Sequence, residues 1–275
     1  MSKTLTAVKT LFVIASSVCL ILLAILIIQL IPQTRITSLV KTPQKQQKPT
    51  FPMPSITYQT DAAKDTTYQI SLVRPNGFPP AIQQKVDNFY NTAKTSLLEA
   101  AAIPQDAAIQ TPFVYTMVSP KPIITNAGPY VFMIAQIEEY TGGAHGNVGY
   151  FQIAYDVRTR DEITLEQFFA DQTTAYQTLS NAIAPIALDQ VMKKSFEGRE
   201  AASITEEEKT SISATVYQGL APVAENFQYW YISKDGKLVF IFPPYQIGPW
   251  ALGAQAVALP LANIKDKLNM HMFTF

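Results

Sequence analysis

The middle of the chain, at residues 130–157, reads YVFMIAQIEEYTGGAHGNVGYFQIAYDV. Two runs within it, 130–140 and 149–157, are rich in aromatic and β-branched residues, and a glycine-rich segment separates them. This composition is typical of β-strands, whereas clustered glycine and asparagine mark the connections between strands. A similar run covers 113–118, so we predict three strands in the middle of the chain.

The residues on the N-terminal side of these strands predict one further strand and a long helix. Tyr68, Ile70 and Leu72 alternate with polar residues before a Pro-Asn-Gly turn at 75–77, which is the pattern of a strand. From Pro80 to about Ala102 the apolar residues recur at spacings of three and four, with proline at the start. That pattern predicts an amphipathic helix over these residues.

The residues on the C-terminal side predict helices first and then strands. We expect a helical region over 165–194 with a break near Pro185, because proline cannot donate the helical hydrogen bond. Thr205 and Glu208 have the spacing of a capping box, so a further helix should run from there to Gly219.

The final third predicts a group of strands followed by a short helix. The strand segments are 227–231, 238–242 and 254–259, with a hairpin turn at 234–236 between the first two and a closing helix at 261–268. Strands and helices in separate runs indicate an α+β fold with a largely antiparallel sheet packed with helices, rather than alternating βαβ units.

The charge of the chain is divided between two regions of opposite sign. The 21 basic and 21 acidic residues give a net charge of zero, but residues 1–60 hold six basic residues and no acidic one. Residues 61–275 therefore carry a net charge of −6. An acidic body lacks the basic surplus that phosphate contacts require, so we exclude a nucleic-acid binder.

Residues 11–31 form an uncharged, mostly apolar run of 21 residues. At ~1.5 Å per residue a helix of this length covers about 31 Å, close to the thickness of the hydrocarbon core of a bilayer. A cleaved signal peptide fits less well, because the run exceeds the usual apolar region and no small-residue cleavage site follows it. A lipoprotein signal ending at Cys19, the single cysteine of the chain, is disfavoured by the large Val18 before it. We predict a transmembrane helix preceded by a short cytoplasmic tail at 1–10.

The segment after the predicted helix, residues 32–57, contains five prolines among Gln, Thr and Lys. Such a composition favours an extended stalk, with a domain at 58–268 beyond it. A short N-terminal tail with two lysines favours the N-in orientation. We therefore expect a single-pass protein of the bacterial cytoplasmic membrane whose C-terminal domain is extracytoplasmic, either periplasmic or at the cell surface.

Known catalytic motifs are absent from the sequence, which favours a role other than catalysis. The two histidines, His145 and His271, lie far apart, and there is no zinc-binding motif, nucleophile elbow, phosphate loop or dinucleotide fingerprint. We expect no catalytic residue of a known type, no metal and no cofactor. Glu138 and Glu139 are adjacent on a predicted strand, so their side chains should point to opposite faces.

Two stretches stand out as candidate ligand-binding segments. The first is YTGGAHGN at 140–147, in which a glycine-rich loop could present His145 and Asn147, with Gly143 allowing close approach; alternatively, His145 bonds the backbone of its own loop. The second is FPPYQIGPWALG at 242–253, where Pro243 introduces an aromatic turn. Tyr245 and Trp250 in that turn are either binding anchors or core residues.

These motifs, in this order along the chain, resemble the RsiV-like extracytoplasmic domain family over residues 58–268. The resemblance rests on YTGGAHGN, on residues 156–165 with Phe168, on Asp235-Gly236, and on Pro243 to Gly253. The family's domain occurs in anti-sigma-V factors and beside the catalytic domain of peptidoglycan deacetylases. The resemblance implies an α+β fold and the recognition of lysozyme by an acidic receptor-like body, with the 243–245 turn as a contact element.

Two departures from the family narrow that expectation. Only ten residues precede the predicted membrane helix, and no deacetylase domain is present in the sequence. We therefore expect a membrane-anchored binding or sensing module of the cell envelope whose partner is a cationic protein such as lysozyme, or peptidoglycan. The alternatives are a cell-wall hydrolase with an unrecognised site near Glu139 and His145, and a purely structural envelope protein.

Overall fold

The structure is a computed structural model and describes residues 51, 53–103 and 113–273. Within them lie nine strands and three α-helices. In chain order they are β1 Thr57–Lys64, β2 Tyr68–Asn76, α1 Pro80–Ala102, β3 Tyr115–Ser119, β4 Ile123–Ala127, β5 Tyr130–Tyr140, β6 Asn147–Asp156, α2 Ala175–Ser195, α3 Glu206–Gly219, β7 Trp230–Ile232, β8 Lys237–Phe242 and β9 Gln255–Pro260. The mixed α+β fold predicted from the sequence is confirmed.

Six strands form the first sheet, and β5 is its central strand. On one side β5 pairs antiparallel with β6 along nearly its whole length. On the other side it pairs with β4 through its first half and with β3 through its last residues. The order continues from β3 to β2 and then to β1, so that β1, β4 and β6 each pair with a single strand of this sheet.

The sheet is antiparallel except at one pair of strands. β2 and β3 are parallel, and α1 lies between them in sequence. Parallel neighbours need such a crossover connection, so this part of the chain is one βαβ unit within an otherwise antiparallel arrangement.

The two faces of β5 are buried against two different hydrophobic cores. Val131 and Met133 belong to a core that α1 covers together with β2 and β3. Tyr130 and Phe132 point to the opposite face and belong to a second core, formed with α2, α3 and the sheet β7–β8–β9. Successive strand residues alternate between faces, so this apolar run supplies both cores at once.

Helix α1 has the bounds that the sequence pattern predicts. It runs from Pro80 to Ala102, and Ile103 closes it in an extended conformation. The spacing of the apolar residues puts Ile82, Val86 and Tyr90 on one buried face.

Helix α2 differs from the prediction, because it continues through Pro185 without a break. Proline removes one hydrogen bond from a helix interior. Here the helix is held by its packing, since Leu179, Ile183, Ala187 and Val191 are fully buried in the second core. Tertiary burial therefore outweighs the local effect of the proline.

Three further differences concern strands. The sequence pattern missed β1 and β4, and β2 continues to Asn76 instead of stopping before the proline. β1 is an exposed edge strand and has no apolar alternation to reveal it. In the second sheet, β7 covers Trp230–Ile232 instead of the predicted 227–231, and its buried residues are Trp230 and Ile232.

The capping box at the start of α3 is confirmed. The Thr205 side chain accepts a hydrogen bond from the Glu208 backbone N–H, and the Glu208 carboxylate accepts one from the Thr205 backbone N–H at 2.9 Å. Glu208 also accepts from the Arg199 guanidinium at 2.8 Å. The hydrogen bonds from Arg199 and from Thr205 lower the pKa of Glu208 to about 2.

The predicted membrane helix at 11–31 lies outside the described residues, as do the tail at 1–10 and most of the stalk. Among the helices that the structure describes, none is both long enough and apolar enough to cross a bilayer.

Phe132→Ala should strongly destabilise the fold. The side chain is fully buried, and its ring lies 5.3 Å from that of Trp230 in an edge-to-face arrangement. Loss of a buried phenylalanine typically costs about 3–5 kcal/mol in the free energy of unfolding. Urea denaturation followed by circular dichroism measures the change. Val118→Ala, on an exposed side chain of the same sheet, is the control and should change this free energy by less than about 0.5 kcal/mol; equal losses in the two variants would contradict the assignment of Phe132 to the core.

Glu208→Gln should destabilise the protein at neutral pH but not in acid. Because the pKa of Glu208 is lowered in the folded state, ionised Glu208 contributes stability above its unfolded pKa of about 4.5, and that contribution is lost as the pH falls toward about 2. The difference in denaturation midpoint between the variant and the wild type should therefore be largest near pH 7 and shrink between about pH 4.5 and pH 2. Glu207→Gln, in the same helical turn but with no resolved ion pair, is the matched control, and a difference that does not depend on pH would refute the assignment.

Candidate functional site

The loop between β5 and β6 and the turn after β8 bring together three of the sequence-predicted site residues. The imidazole of His145 stacks on the indole of Trp250, with ring centroids 4.2 Å apart and planes inclined by 19°. The hydroxyl of Tyr245 lies 3.2 Å from Nε2 of His145, and the rings of Tyr245 and Trp250 are 5.7 Å apart. We call His145, Tyr245 and Trp250 the aromatic cluster.

The position of His145 depends on the tight geometry of its loop. Gly142 has φ of +100°, and a Cβ atom there would lie 2.5 Å from the ring of Phe113. The Tyr140 hydroxyl donates a hydrogen bond of 3.0 Å to the Gly143 carbonyl oxygen across the loop. The strands on both sides are paired in register up to Glu139 and Asn147, so the loop leaves the sheet at a defined point.

The hydrogen bonds of His145 determine its tautomer when the ring is neutral. Nδ1 lies 2.8 Å from the Gly146 carbonyl oxygen, which can only accept, so Nδ1 carries the proton. Nε2 is then the acceptor for the Tyr245 hydroxyl. The ring therefore bonds its own loop through Nδ1, as one interpretation of the sequence expected, and it contacts Tyr245 through Nε2. The presentation of His145 to a ligand stays a prediction.

Tyr245 has a backbone conformation that is unfavourable for its residue type. The Gln246 N–H donates to the Pro243 carbonyl oxygen at 3.1 Å and closes a four-residue turn with Pro244 in the second position. Tyr245 occupies the third position with φ of +72°, where type II turns favour glycine. A bulky residue with positive φ carries strain of about 1–3 kcal/mol, and such strain concentrates at functional sites.

Gln246 anchors this turn, and the sequence patterns gave no sign of its role. Its side-chain amide donates to the carbonyl oxygens of Gly219 at 3.0 Å and Asn226 at 2.8 Å. At Gly219 a Cβ atom would lie 1.9 Å from the Gln246 carbonyl oxygen, so the turn packs directly on the end of α3. The one sequence feature that relates to this contact is the glycine at position 219, at the end of the predicted helix.

The aromatic cluster is accessible to a ligand. Tyr245 is 60% exposed, His145 is exposed and Trp250 is half-buried. Beside Tyr245 is a cavity of about 370 Å³ between α2, α3 and the turn. Its walls are mainly apolar and include Val191, Ile212 and Ile247.

The other three predicted site residues flank the cluster and do not join it. Pro243 accepts the hydrogen bond that closes the turn, Gly143 is an exposed loop residue, and Asn147 is the exposed first residue of β6. No ring contact or hydrogen bond of the described structure connects these residues with His145, Tyr245 or Trp250.

In the described structure, no hydrogen bond or ion pair joins His145 to Glu138 or Glu139. The side-chain contacts of His145 are with Gly146, Tyr245 and Trp250, none of which is a carboxylate. Glu139 instead lines a cavity of about 600 Å³ between α1 and the sheet, whereas Glu138 is exposed and accepts from the Gln136 amide. Over residues 53–103 and 113–273 there is no cluster of three or more His, Cys, Asp or Glu residues that could hold a metal ion.

Part of the sequence matches a family model whose function is unknown. Residues 166–262 match the model of DUF3298, described as a protein of unknown function. The matched segment includes Tyr245 and Trp250 but not His145. The curated proteins contain no significant match to the sequence.

Two solved structures resemble this chain. A DUF3298 family protein from Pseudomonas aeruginosa PAO1 has a TM-score of 0.52 at 13% identity, covering 81% of this chain and 97% of its own. A member of the DUF3298 family from Bacteroides fragilis NCTC 9343 has a TM-score of 0.50 at 17% identity, covering 78% of this chain and 94% of its own. At these identities the likeness establishes a shared fold.

Tyr245→Asn should leave the protein as stable as the wild type or more stable. Asparagine tolerates positive φ better than tyrosine, so the substitution relieves backbone strain while it removes an exposed ring. The expected change in the free energy of unfolding lies between zero and about +1 kcal/mol, measured by urea denaturation. Tyr90→Asn, which removes a fully buried tyrosine of α1, is the contrasting control and should be strongly destabilising. A loss of more than about 1 kcal/mol in Tyr245→Asn would show that the ring supports the fold.

Proposed function

We propose that the domain is a binding module of the bacterial cell envelope and that the aromatic cluster contacts its ligand. The observation that carries the proposal is the conformation of Tyr245, whose backbone is strained while its ring is 60% exposed. Burial of the ring does not offset this strain, and the strain is explained if the ring is needed for recognition.

The chemistry of the cluster suits binding. Tyrosine and tryptophan bury much apolar area at small cost in side-chain entropy, and both are enriched where interfaces are energetically important. The stacked His145 and the hydrogen bond from Tyr245 hold the rings in place before a ligand arrives. Preorganisation of this kind reduces the entropy lost on binding.

The cavity beside Tyr245 extends the proposed contact surface. Its volume of about 370 Å³ and apolar walls fit an inserted apolar side chain of a partner. A second cavity of about 460 Å³ shares Ser211, Ile212 and Pro249 with it and is lined by Arg199 and Glu208. The surface near the cluster therefore offers an apolar pocket next to charged groups, as in many protein interfaces.

A cationic protein is the proposed ligand, and a lysozyme-like muramidase is its candidate. The resemblance to the RsiV-like family implies lysozyme recognition through the turn that contains Tyr245. Residues 61–275 carry a net charge of −6, which favours a basic partner over an anionic polymer. Peptidoglycan is the second ligand to be tested.

The proposed location follows from the segment at 11–31. A membrane helix there, with the ten preceding residues in the cytoplasm, holds the domain outside the cytoplasmic membrane on the stalk at 32–57. Such a position gives the domain access to enzymes that act on the cell wall and to the wall itself.

Titration calorimetry with the full-length chain in detergent tests the proposal. The ligands are a c-type lysozyme and soluble muropeptides, and the variants are Tyr245→Asn and Trp250→Ala. If the cluster is an energetic centre of the interface, each variant should bind lysozyme with a Kd about 30-fold higher, because central anchor residues contribute about 2 kcal/mol or more.

The matched control is Tyr58→Asn, which removes an exposed tyrosine from β1 and should leave Kd within a factor of about two. Binding of muropeptides but not lysozyme, lost in the same variants, would support the binding module and reassign its ligand. Absence of heat with both ligands would refute the proposal, as would binding that the variants leave unchanged.

A further inference from the structure

A second concave site lies along the edge strand β6, formed by different residues from the aromatic cluster. It has a volume of about 520 Å³ and lies between β6, residues 162–166 and residues 228–230. Within the sheet β6 pairs with β5 on one side. On its other side residues 161–163 pair with the end of β6 at 154–156, and the groove lies beside the part of this edge that precedes them. We call this cavity the edge groove.

Two tyrosines with unpaired hydroxyl groups form one part of the edge groove. The rings of Tyr150 and Tyr229 are 5.3 Å apart, with planes inclined by 40°, and both side chains are half-buried. Neither hydroxyl has a hydrogen-bond partner among the residues that the structure describes. Neither hydroxyl is among the buried polar atoms that lack a partner, so both face solvent and are free to exchange hydrogen bonds with a ligand.

Backbone pairing fixes the position of both tyrosines. Tyr150 lies opposite Gln136 in the β5–β6 ladder, and the Tyr229 carbonyl oxygen accepts from the Ile241 N–H at 2.8 Å. Burial raises the pKa of Tyr150 to about 12, with smaller contributions from Glu138 and Tyr229. Both tyrosines therefore keep their protons at neutral pH and can donate hydrogen bonds.

The remaining polar groups of the edge groove are acceptors and amides. The Glu166 carboxylate accepts a hydrogen bond from the Tyr176 hydroxyl, and Gln228 is exposed at the groove. Burial opposes the ionisation of Glu166, but hydrogen bonds outweigh this effect, and its pKa is lowered. Glu162 forms an ion pair with Lys85. No residue that lines the edge groove is basic.

This combination excludes two classes of ligand and favours a third. An anionic ligand such as a phosphate needs a cation or a cluster of N–H donors. The edge groove is lined by the carboxylates of Glu162 and Glu166 instead, which would repel an anion. An acyl chain would bury the phenols and the carboxylate without hydrogen bonds, which is costly. A sugar ring has an apolar C–H face for an aromatic ring and hydroxyl groups around its rim for donors and acceptors.

We propose that the edge groove binds a neutral oligosaccharide, which packs against Tyr150 and Tyr229 and exchanges hydrogen bonds with their hydroxyls, with Glu166 and with Gln228. The volume of about 520 Å³ lies within the range of small-molecule sites. The site is independent of the function proposed for the aromatic cluster, since the edge groove and the cluster have no residue in common.

Calorimetry and saturation-transfer NMR with the full-length chain test the proposal. The chain is kept in a polyoxyethylene detergent, because a glycoside detergent would compete for the groove. The probes are cellotetraose and the tetramer of N-acetylglucosamine, two neutral sugars that differ at the 2-position. Binding of either supports the proposal, and a preference for one shows whether an acetamido group is recognised.

The variants are Tyr150→Phe and Tyr229→Phe, which keep the ring and remove only the hydroxyl. Each should raise the Kd of the sugar about 2- to 10-fold, as expected for the loss of one hydrogen bond. Tyr217→Phe, on an exposed tyrosine of α3 outside the groove, is the matched control and should leave Kd unchanged. Thermal melting of each variant checks that the fold is intact.

His145→Ala separates this proposal from the one on the aromatic cluster. Sugar binding should be unchanged in that variant, even if lysozyme binding is lost. The proposal is overturned if neither sugar binds the wild type, if both tyrosine variants bind as the wild type does, or if His145→Ala abolishes sugar binding.

Discussion

The structure depends on the burial of β5 on both faces. A strand in a sheet with one solvated face needs only every second residue to be apolar, whereas Tyr130 to Ile134 has no polar residue at all. Val131 and Met133 complete the core under α1, and Tyr130 and Phe132 complete the core under α2 and the second sheet. Because one strand serves both cores, neither can form its full packing without the other.

The same strand also determines where the aromatic cluster forms. β5 ends at Tyr140, the hairpin loop follows, and β6 returns in register along β5. The loop must therefore project from one end of the sheet, where His145 meets the turn after β8. That turn is itself held by Gln246, which bonds the end of α3 and residue Asn226. The His145 loop is thus supported by Phe113, which packs on the first core, and the turn is supported by α3, which packs on the second.

The two proposed sites differ in the ligand chemistry that each one suits. The aromatic cluster offers preorganised rings beside an apolar cavity, which suits a protein surface. The edge groove offers unpaired phenols, a carboxylate and no cation, which suits a neutral polyol. The aromatic cluster includes a strained backbone at Tyr245, and the edge groove includes two hydroxyls, of Tyr150 and Tyr229, with no protein partner among the described residues. The strained conformation is stable only because the surrounding fold holds it.

The sequence by itself determined the elements whose signals are local. The apolar spacing of α1, the capping box of Thr205 and Glu208, and the aromatic strands at 130–140 and 149–157 each follow from short-range rules, so the α+β class could be predicted. The two candidate segments, around His145 and around Tyr245, could also be singled out by their glycines, prolines and aromatic residues.

Only the tertiary structure decided that His145 and Trp250 stack, that α2 continues through Pro185, that β1 and β4 join the sheet, and that Gln246 anchors the turn. These features depend on contacts between residues far apart in the chain, and the free energy that stabilises them comes from burial and pairing that no local pattern records.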